Sequence, residues 1–308
     1  MKQTWASFEK RGVRRLDGAE LPASAKRFPD GARYRLEIPS VETPEALEAA
    51  LEEADKRRVV IHRVSQGSGI MMLTDEEIGR MCRLARDAKI ELSLFVGPRA
   101  AWDTTPQPHT AAGKVIGGSL RGAAQLAYAV EDVRRACALG VRGVLVADLG
   151  LLWLLHEMKT AGELPASLVL KISILLSVPN PATARVLETL GAGTINVSPD
   201  LSLGQLAELR AAVSAPLDVY VEVPDNFGGY IRTYEIPEMV RVAAPMYVKM
   251  GLRNAPDIYP VGEQLRAVSL AMTRERLHRA RLALDTLRRY FPEAEASAPG
   301  APGLGIPE

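Results

Sequence analysis

Four ionisable residues stand at alternate positions in short β-like segments, where each is flanked by apolar residues. They are Glu37 in RYRLEI, Lys171 in LVLKISI, Glu222 in LDVYVEV and Lys249 in PMYVKMG. Alternate side chains of a strand point to opposite faces, so the four share a polar face. Carboxylates serve as acids, bases or metal ligands, and a lysine serves as an electrophile or forms a Schiff base. These four are the predicted catalytic residues, with Glu222 and Lys249 as a pair.

A second set of residues is suited to binding an anionic substrate. Arginines and the backbone amides of glycine-containing loops bind carboxylates and phosphates, and asparagine and histidine add hydrogen bonds. Adjacent His62 and Arg63 cannot both face the same side of their strand. The predicted substrate-binding residues are His62, Arg63, Arg99, Asn196, Asp225, Gly228, Gly229, Arg253 and Asn254.

A divalent metal is the alternative to a lysine mechanism. Magnesium or manganese accepts carboxylates and keeps water ligands, and the candidate ligands are Glu37, Asp148 and Glu222. A histidine-rich zinc site is disfavoured because neither HxH nor HExxH occurs. Cys82 and Cys137 are the only cysteines and form no CxxC pair, so no iron–sulfur cluster is expected.

The elements that would position these residues alternate along the chain. Eight β-like runs are each followed by a helical pattern or a loop and turn, which indicates parallel pairing and closure into a single-domain (β/α)8 TIM barrel, an α/β fold. A doubly wound open sheet is the second choice. The barrel is predicted over residues 31–292, between an N-terminal extension at 1–30 and a disordered Pro/Gly/Ala tail at 293–308.

Two long loops follow the third and seventh strands. Gly97–Leu120 and Pro224–Pro237 are rich in glycine, proline and threonine or asparagine, and both would lie on the C-terminal face, where barrel active sites are built. The first is long enough for a lid over the mouth of the barrel, with Trp102 as a shield against water.

Composition limits the partners. Lys and Arg total 38 against 37 for Asp and Glu, so the net charge of +1 does not favour nucleic acid. No apolar run reaches the roughly 18 residues of a membrane span, so no membrane contact is expected. Two cysteines fit a reducing cytoplasm, and the long last helix could join subunits into a homo-oligomer.

The segment from Lys171 to Val223 contains Asn180 before a helix, Asp200 followed by Leu-Ser-Leu, and a strand written LDVYVEV. In these features it resembles the collagenase-like peptidase family U32. The resemblance implies a barrel fold and classification with the peptidases. Family members typically continue this strand with His-Gly and cysteines that in several branches hold an iron–sulfur cluster. Here Glu222 stands where the histidine would fall, and no cysteine follows Cys137.

Together these features predict an enzyme, a hydrolase or a lyase, that acts on a small anionic or carbonyl substrate. Polar layers also occur inside barrels without any catalytic role. The alternative is therefore a non-catalytic barrel that binds a partner protein through its C-terminal face. That alternative gains if the buried charges pair with no open cavity above them.

Overall fold

Eight parallel strands form a closed barrel in chain order in the computed structural model, which describes residues 2–12, 21–100, 102–103 and 117–308. The predicted single-domain (β/α)8 barrel is confirmed. The strands are β1 (Tyr34–Pro39), β2 (Arg63–Gln66), β3 (Glu91–Phe95), β4 (Gly143–Val146), β5 (Val169–Ile172), β6 (Thr194–Asn196), β7 (Leu217–Glu222) and β8 (Met246–Met250).

Helices surround the barrel, and several begin at the N-caps that the sequence indicates. Thr43 accepts a hydrogen bond from the backbone of Ala46, and Thr74 forms a capping box with Glu77. The helices are α1 (Lys2–Glu9), α2 (Pro44–Arg57), α3 (Asp75–Asp87), α4 (Gly122–Ala138), α5 (Leu149–Thr160), α6 (Pro181–Thr189), α7 (Leu203–Ala212), α8 (Ile236–Ala243) and α9 (Arg266–Tyr290). Among the helices that the structure describes, none combines the length and apolar character of a membrane span.

Side chains along each strand point alternately into the apolar layer between barrel and helices and into the lumen of the barrel. In β1, Leu36 and Ile38 belong to the apolar core between barrel and helices, whereas Arg35 and Glu37 are buried on the other face, in the lumen. The same alternation continues around most of the barrel. Polar and charged side chains consequently fill the centre of the lumen, while Phe95 and Leu145 line its C-terminal end.

Strand β7 departs from the alternation at its end. Tyr220 lies opposite Lys249 of β8, but Glu222 lies opposite Met250, so two residues of β7 advance while β8 advances by one. This β-bulge reverses the facing of the following residue. Glu222 therefore leaves the lumen, and the predicted inward position of this residue is wrong.

The C-terminal residues close the N-terminal face of the barrel. Arg35 donates to Ser297 Oγ at 2.9 Å and to the Pro302 carbonyl at 2.7 Å, and the Gly305 amide donates to Glu91 at 3.3 Å. Residues 293–308 are thus ordered, and the prediction of a disordered tail is wrong. Composition pointed to disorder, but buried polar groups at the barrel base need these backbone partners.

Residues of the predicted N-terminal extension also pack on the barrel in the described range 21–30. Lys26 Nζ donates to the Arg210 carbonyl at 3.0 Å and to the Val213 carbonyl at 2.6 Å. The Phe28 ring meets the Tyr247 ring edge-on, with centroids 5.6 Å apart. Residues 1 and 13–20 lie outside the described part.

His62 should make the stability of the fold depend on pH. Its Nδ1 accepts from the Leu36 amide at 3.0 Å, and its Nε2 lies 2.7 Å from the Ser297 carbonyl. Burial lowers the pKa of His62 to about 4, although the Ser297 carbonyl acts in the opposite direction. The unfolded chain therefore takes up a proton at higher pH than the folded one, and the folded state loses stability as pH falls from 6.5 towards 4.

The expected loss over that interval is at most about 3 kcal/mol, at 1.36 kcal/mol per pKa unit. Urea unfolding at several pH values within the interval measures it. His62→Gln should flatten the slope while the rest of the pH profile remains. An unchanged slope in that variant would assign the pH dependence to other groups.

Candidate active site at the barrel mouth

An ionic layer crosses the lumen beneath the C-terminal mouth. Arg63 is at its centre and contacts Glu91 at 2.6 Å, Asp218 at 3.0 Å and Glu37 at 3.2 Å. Lys171 Nζ lies 3.1 Å from both Glu37 and Asp218. With Lys249, which also contacts Glu37, the layer contains three cations and three carboxylates. The buried charges are therefore balanced, as burial requires.

The layer shifts the protonation of its members. Burial alone would raise the pKa of Glu37, but Lys171, Lys249 and Arg63 outweigh it and hold this pKa far below its ordinary value. Burial, together with Lys249, lowers the pKa of Lys171 against the opposing effect of Glu37. Glu37 is thus a permanent anion, and it anchors the two lysines.

Lys249 is the cation of this layer that reaches the mouth. Its Nζ lies 3.2 Å from Glu37 and 4.7 Å from the centre of the Tyr220 ring. The neighbours of the Asn196 amide are satisfied when its oxygen faces Lys249 and accepts at 2.8 Å, while its nitrogen donates to the Asp218 carbonyl at 3.1 Å; we assign the amide this orientation. Lys249 is fixed from below and from the side.

A cavity opens directly above Lys249, with about 490 Å³ of space free of protein atoms, part of which is open to solvent. One wall is apolar and is built by Phe95, Leu145, Leu175 and Phe227. The other surfaces are mixed, with Pro39 and Ile174 among polar residues. The polar residues of the lining are Ser40, Ser65, Gln66, Arg99, Ser173, Tyr220, Lys249 and Tyr259. An apolar wall with few fixed polar groups is typical of a small-molecule site.

Arg99 lies over this cavity on the loop that follows β3. Its guanidinium is 4.1 Å from the centre of the Phe95 ring, and it donates to the Gly67 carbonyl. The predicted substrate-binding position of Arg99 thus coincides with the cavity lining. The predicted lid, Gly97–Leu120, falls largely on residues 101 and 104–116, which lie outside the described residues, so the lid stays a prediction.

Glu222 and Lys249 do not form the predicted pair. The bulge in β7 turns Glu222 outward, where it accepts from the Arg253 amide of the loop after β8 at 2.8 Å and lies 3.7 Å from Arg279 of α9. Lys249 pairs with Glu37 instead. The pairing prediction is wrong because it extended the regular alternation of β7 by one residue too many.

The carboxylates predicted to hold a metal are not brought together. Glu37 lies in the ionic layer and Glu222 faces α9. Asp148 caps α5 by accepting from the Leu151 amide at 2.9 Å, and its other oxygen accepts from the Leu120 amide at 2.9 Å. In the described ranges, no three His, Cys, Asp or Glu side chains are grouped so that they could hold a metal ion. The predicted ligand set is therefore wrong as a set.

The predicted anion-binding loops contact each other. Arg253 lies 3.2 Å from Asp225, the Asn254 amide donates to Asp225, and Gly228 and Gly229 adopt positive φ angles of 114° and 65°. These contacts join the loops after β7 and β8. Whether the five residues bind substrate stays a prediction.

His62 and Arg63 are separated by the alternation of β2. His62 lies at the base of the barrel against Ser297, so the prediction that it contacts substrate at the mouth is wrong. Arg63 faces the lumen but is enclosed by the ionic layer. Sequence reasoning also missed Glu91, although ELSLFV gives it the same facing as Ser93, and it missed Tyr259, which comes from a loop after β8 and has no periodic signal.

The fold and the cavity define an enzyme-like TIM-barrel protein. Residues 119–223, about a third of the chain, match the model of peptidase family U32. The resemblance seen in the sequence is thereby confirmed for this segment. It includes β4 to β7 and so contributes Lys171, Asn196 and Tyr220 to the site.

Solved structures are similar to this chain at low sequence identity and with TM-scores below 0.5. The structure of a U32 peptidase has 19% identity and a TM-score of 0.41 and covers 65% of this chain and 73% of its own. An aldolase from Escherichia coli K12 has 14% identity and a TM-score of 0.49, with 85% and 94% covered. Thiamine phosphate pyrophosphorylase from Pyrococcus furiosus has 14% identity and a TM-score of 0.45, with 83% and 98% covered. No curated protein sequence matches this chain.

Proposed function

We propose that this protein is an enzyme that binds a small carbonyl-containing anion at the barrel mouth and stabilises negative charge on the carbonyl oxygen. The observation that carries the proposal is the position of Lys249. Its ammonium lines the cavity, while Glu37 holds it from below. A fixed positive charge in a mostly buried site stabilises an oxyanion far better than the same charge does in water.

The hydrogen bonds of Lys249 support this role. An ammonium group has three N–H donors. Glu37 and Asn196 accept two of them, which leaves the third for an oxygen atom in the cavity. Because its amine pairs with Glu37 at 3.2 Å, we assign Lys249 to charge stabilisation rather than to Schiff-base formation.

Tyr220 is the proposed proton donor. Its side chain lines the same cavity beside Lys249, and burial, with Glu37 nearby, raises its pKa so that the phenol keeps its proton at neutral pH. Glu37 is a poor base because its pKa is depressed. We therefore replace the predicted acid/base role of Glu37 with that of a positioning residue for Lys249.

Carbon–carbon lysis next to the carbonyl is the reaction that this set suits best. The substrate carries a hydroxyl group on one carbon of the C–C bond that breaks, and this hydroxyl gives its proton to water. The electron pair of the C–C bond moves towards the carbonyl and forms an enolate. Lys249 holds the enolate oxygen. Tyr220 delivers a proton to the enolate carbon and recovers one from water, so an aldehyde and a shorter carbonyl compound are released.

Hydrolysis is the second candidate because residues 119–223 match a peptidase family. A tetrahedral oxyanion would use Lys249 in the same manner. The non-catalytic alternative required an ionic layer without a cavity above it. The open cavity above Lys249 instead supports a small-molecule site.

Deuterium exchange tests the proposal with a panel of small acids, before the natural substrate is identified. In D2O, the protein should exchange the hydrogen on the carbon next to the carbonyl for deuterium in at least one small 2-oxo acid or hydroxylated 2-oxo acid. Proton NMR measures the loss of that C–H signal. Tyr220→Phe keeps the ring beside Lys249 and should slow exchange about 100-fold.

Two outcomes would contradict this mechanism. If acids from the panel bind but none exchanges, enolate chemistry fails. If borohydride reduction links a bound carbonyl compound covalently to Lys249, the lysine acts through a Schiff base instead.

A further inference from the structure

A second cavity adjoins the first, with about 550 Å³ of space free of protein atoms, part of which is open to solvent. The two cavities share Ser40, Tyr220, Phe227 and Tyr259 in their linings. The remaining walls of the second cavity come from the loops after β7 and β8 and from α9. Helix α9 contributes Arg276, the cationic residue of this lining.

Arg276 is buried, with no carboxylate of the described residues in ion-pair contact, and burial lowers its pKa although Tyr259, Glu42 and Glu222 act in the opposite direction. Its side chain is only 3% exposed, its Nε has no hydrogen-bond partner, and its Nη1 makes one long contact of 3.4 Å with the Ser40 carbonyl. In the part of the chain that the structure describes, no carboxylate forms an ion pair with it. A buried guanidinium without a partner is costly, because its lost hydration is not replaced. The arrangement is explained if an anion from outside the chain completes it.

The rest of the lining leaves room for such an anion. The Asn226 side-chain oxygen is buried without a partner, and rotation of this amide by a half turn would place its NH2 group there as a donor. The two acids of the lining already have contacts. Asp225 is bound by Arg253 at 3.2 Å, and Asp257 accepts from the Tyr259 amide at 3.3 Å.

We propose that the second cavity is an oxyanion subsite, in which Arg276 binds a carboxylate or phosphate group of the ligand. A guanidinium matches both groups with paired N–H donors. This inference deepens the proposed function, because a ligand anchored at Arg276 would reach Lys249 along the shared wall of Tyr220 and Tyr259. Anion binding itself does not depend on catalysis.

Calorimetric titration with inorganic phosphate and, separately, with malonate tests the subsite and distinguishes the two sources of the oxyanion. The full-length protein should bind at least one of them. Arg276→Met should weaken that binding about 10- to 100-fold, because hydrogen bonds to a charged group are lost. The matched control is Arg288→Met on the same helix, where Arg288 is 52% exposed and paired with Asp285, and it should bind like the original protein.

Thermal unfolding without added anion distinguishes a role of Arg276 in ligand binding from a role in stabilising the fold. Arg276→Met should be at least as stable as the original protein, since an apolar side chain replaces an unpaired charge. A destabilised variant that still binds phosphate or malonate normally would show that Arg276 stabilises the fold through Ser40 and does not bind the anion. If the original protein binds neither anion, the subsite is also overturned. If anions bind through Arg276 but no oxo acid exchanges deuterium, the subsite stands and the proposed function fails.

Discussion

Lys249→Met is expected to lower turnover about 100- to 1,000-fold while the barrel still folds. Loss of one preorganised group that stabilises an oxyanion has an effect of this size. The fold should survive because Glu37 keeps Lys171 at 3.1 Å and Arg63 at 3.2 Å, and we expect a stability loss of about 1–3 kcal/mol. The deuterium-exchange rate and the midpoint of thermal unfolding are the two measurements.

Two further variants separate chemistry from charge balance. Adding Glu37→Gln to Lys249→Met removes one anion with the cation, so stability should recover while turnover does not. Adding Glu222→Gln should give simple additivity, because Glu222 faces α9 rather than Lys249. Lys159→Met serves as a control, since Lys159 only donates to the Leu168 carbonyl on the outside of the barrel. Normal turnover in Lys249→Met would contradict the site assignment.

Arg63→Met is expected to destabilise the protein by about 3–5 kcal/mol, the usual cost of removing one partner from a buried ion pair. The change leaves Glu37, Glu91 and Asp218 with only two lysines, and it leaves Glu91 with the Gly305 amide at 3.3 Å. Urea denaturation measures the loss.

Restoring neutrality should recover part of that stability. In the Arg63→Met background, Glu91→Gln removes the carboxylate that has lost its ion-pair partner. The effects of the two changes on the free energy of unfolding should therefore be strongly non-additive. Arg80→Met is the surface control, because Arg80 pairs with Glu45 and Glu48 where solvent reaches it, and it should cost less than about 1 kcal/mol. A similar small loss for Arg63→Met would mean that water enters the lumen and screens the layer.

Strand alternation was sufficient to predict most of the lumen. It gave the inward facing of Glu37, Lys171, Asn196 and Lys249, because regular strands leave no freedom in which face a residue occupies. It failed at Glu222, since a bulge depends on how two strands pair and not on the pattern of either alone.

Contacts between distant segments were beyond the sequence. Nothing in the composition of residues 293–308 shows that Ser297 meets Arg35 and His62, which are more than two hundred residues earlier. In the same way, the sequence does not distinguish Arg276 from the other arginines of its helix. Only the structure shows that the loops after β7 and β8 enclose it. Periodicity reports the facing of a residue on its own element, whereas partners are decided by how elements meet.

The closure of the barrel base by the last residues has a consequence for synthesis. A nascent chain grows from its N-terminus, so all eight strands leave the ribosome before Ser297, Pro302 and Gly305 do. Until then Arg35, His62 and Glu91 lack the partners that these residues provide. The base of the barrel is therefore completed only after residues 297–305 have been made, and a ribosome stalled shortly before residue 297 would display a barrel whose lower end is still open to chaperones and proteases.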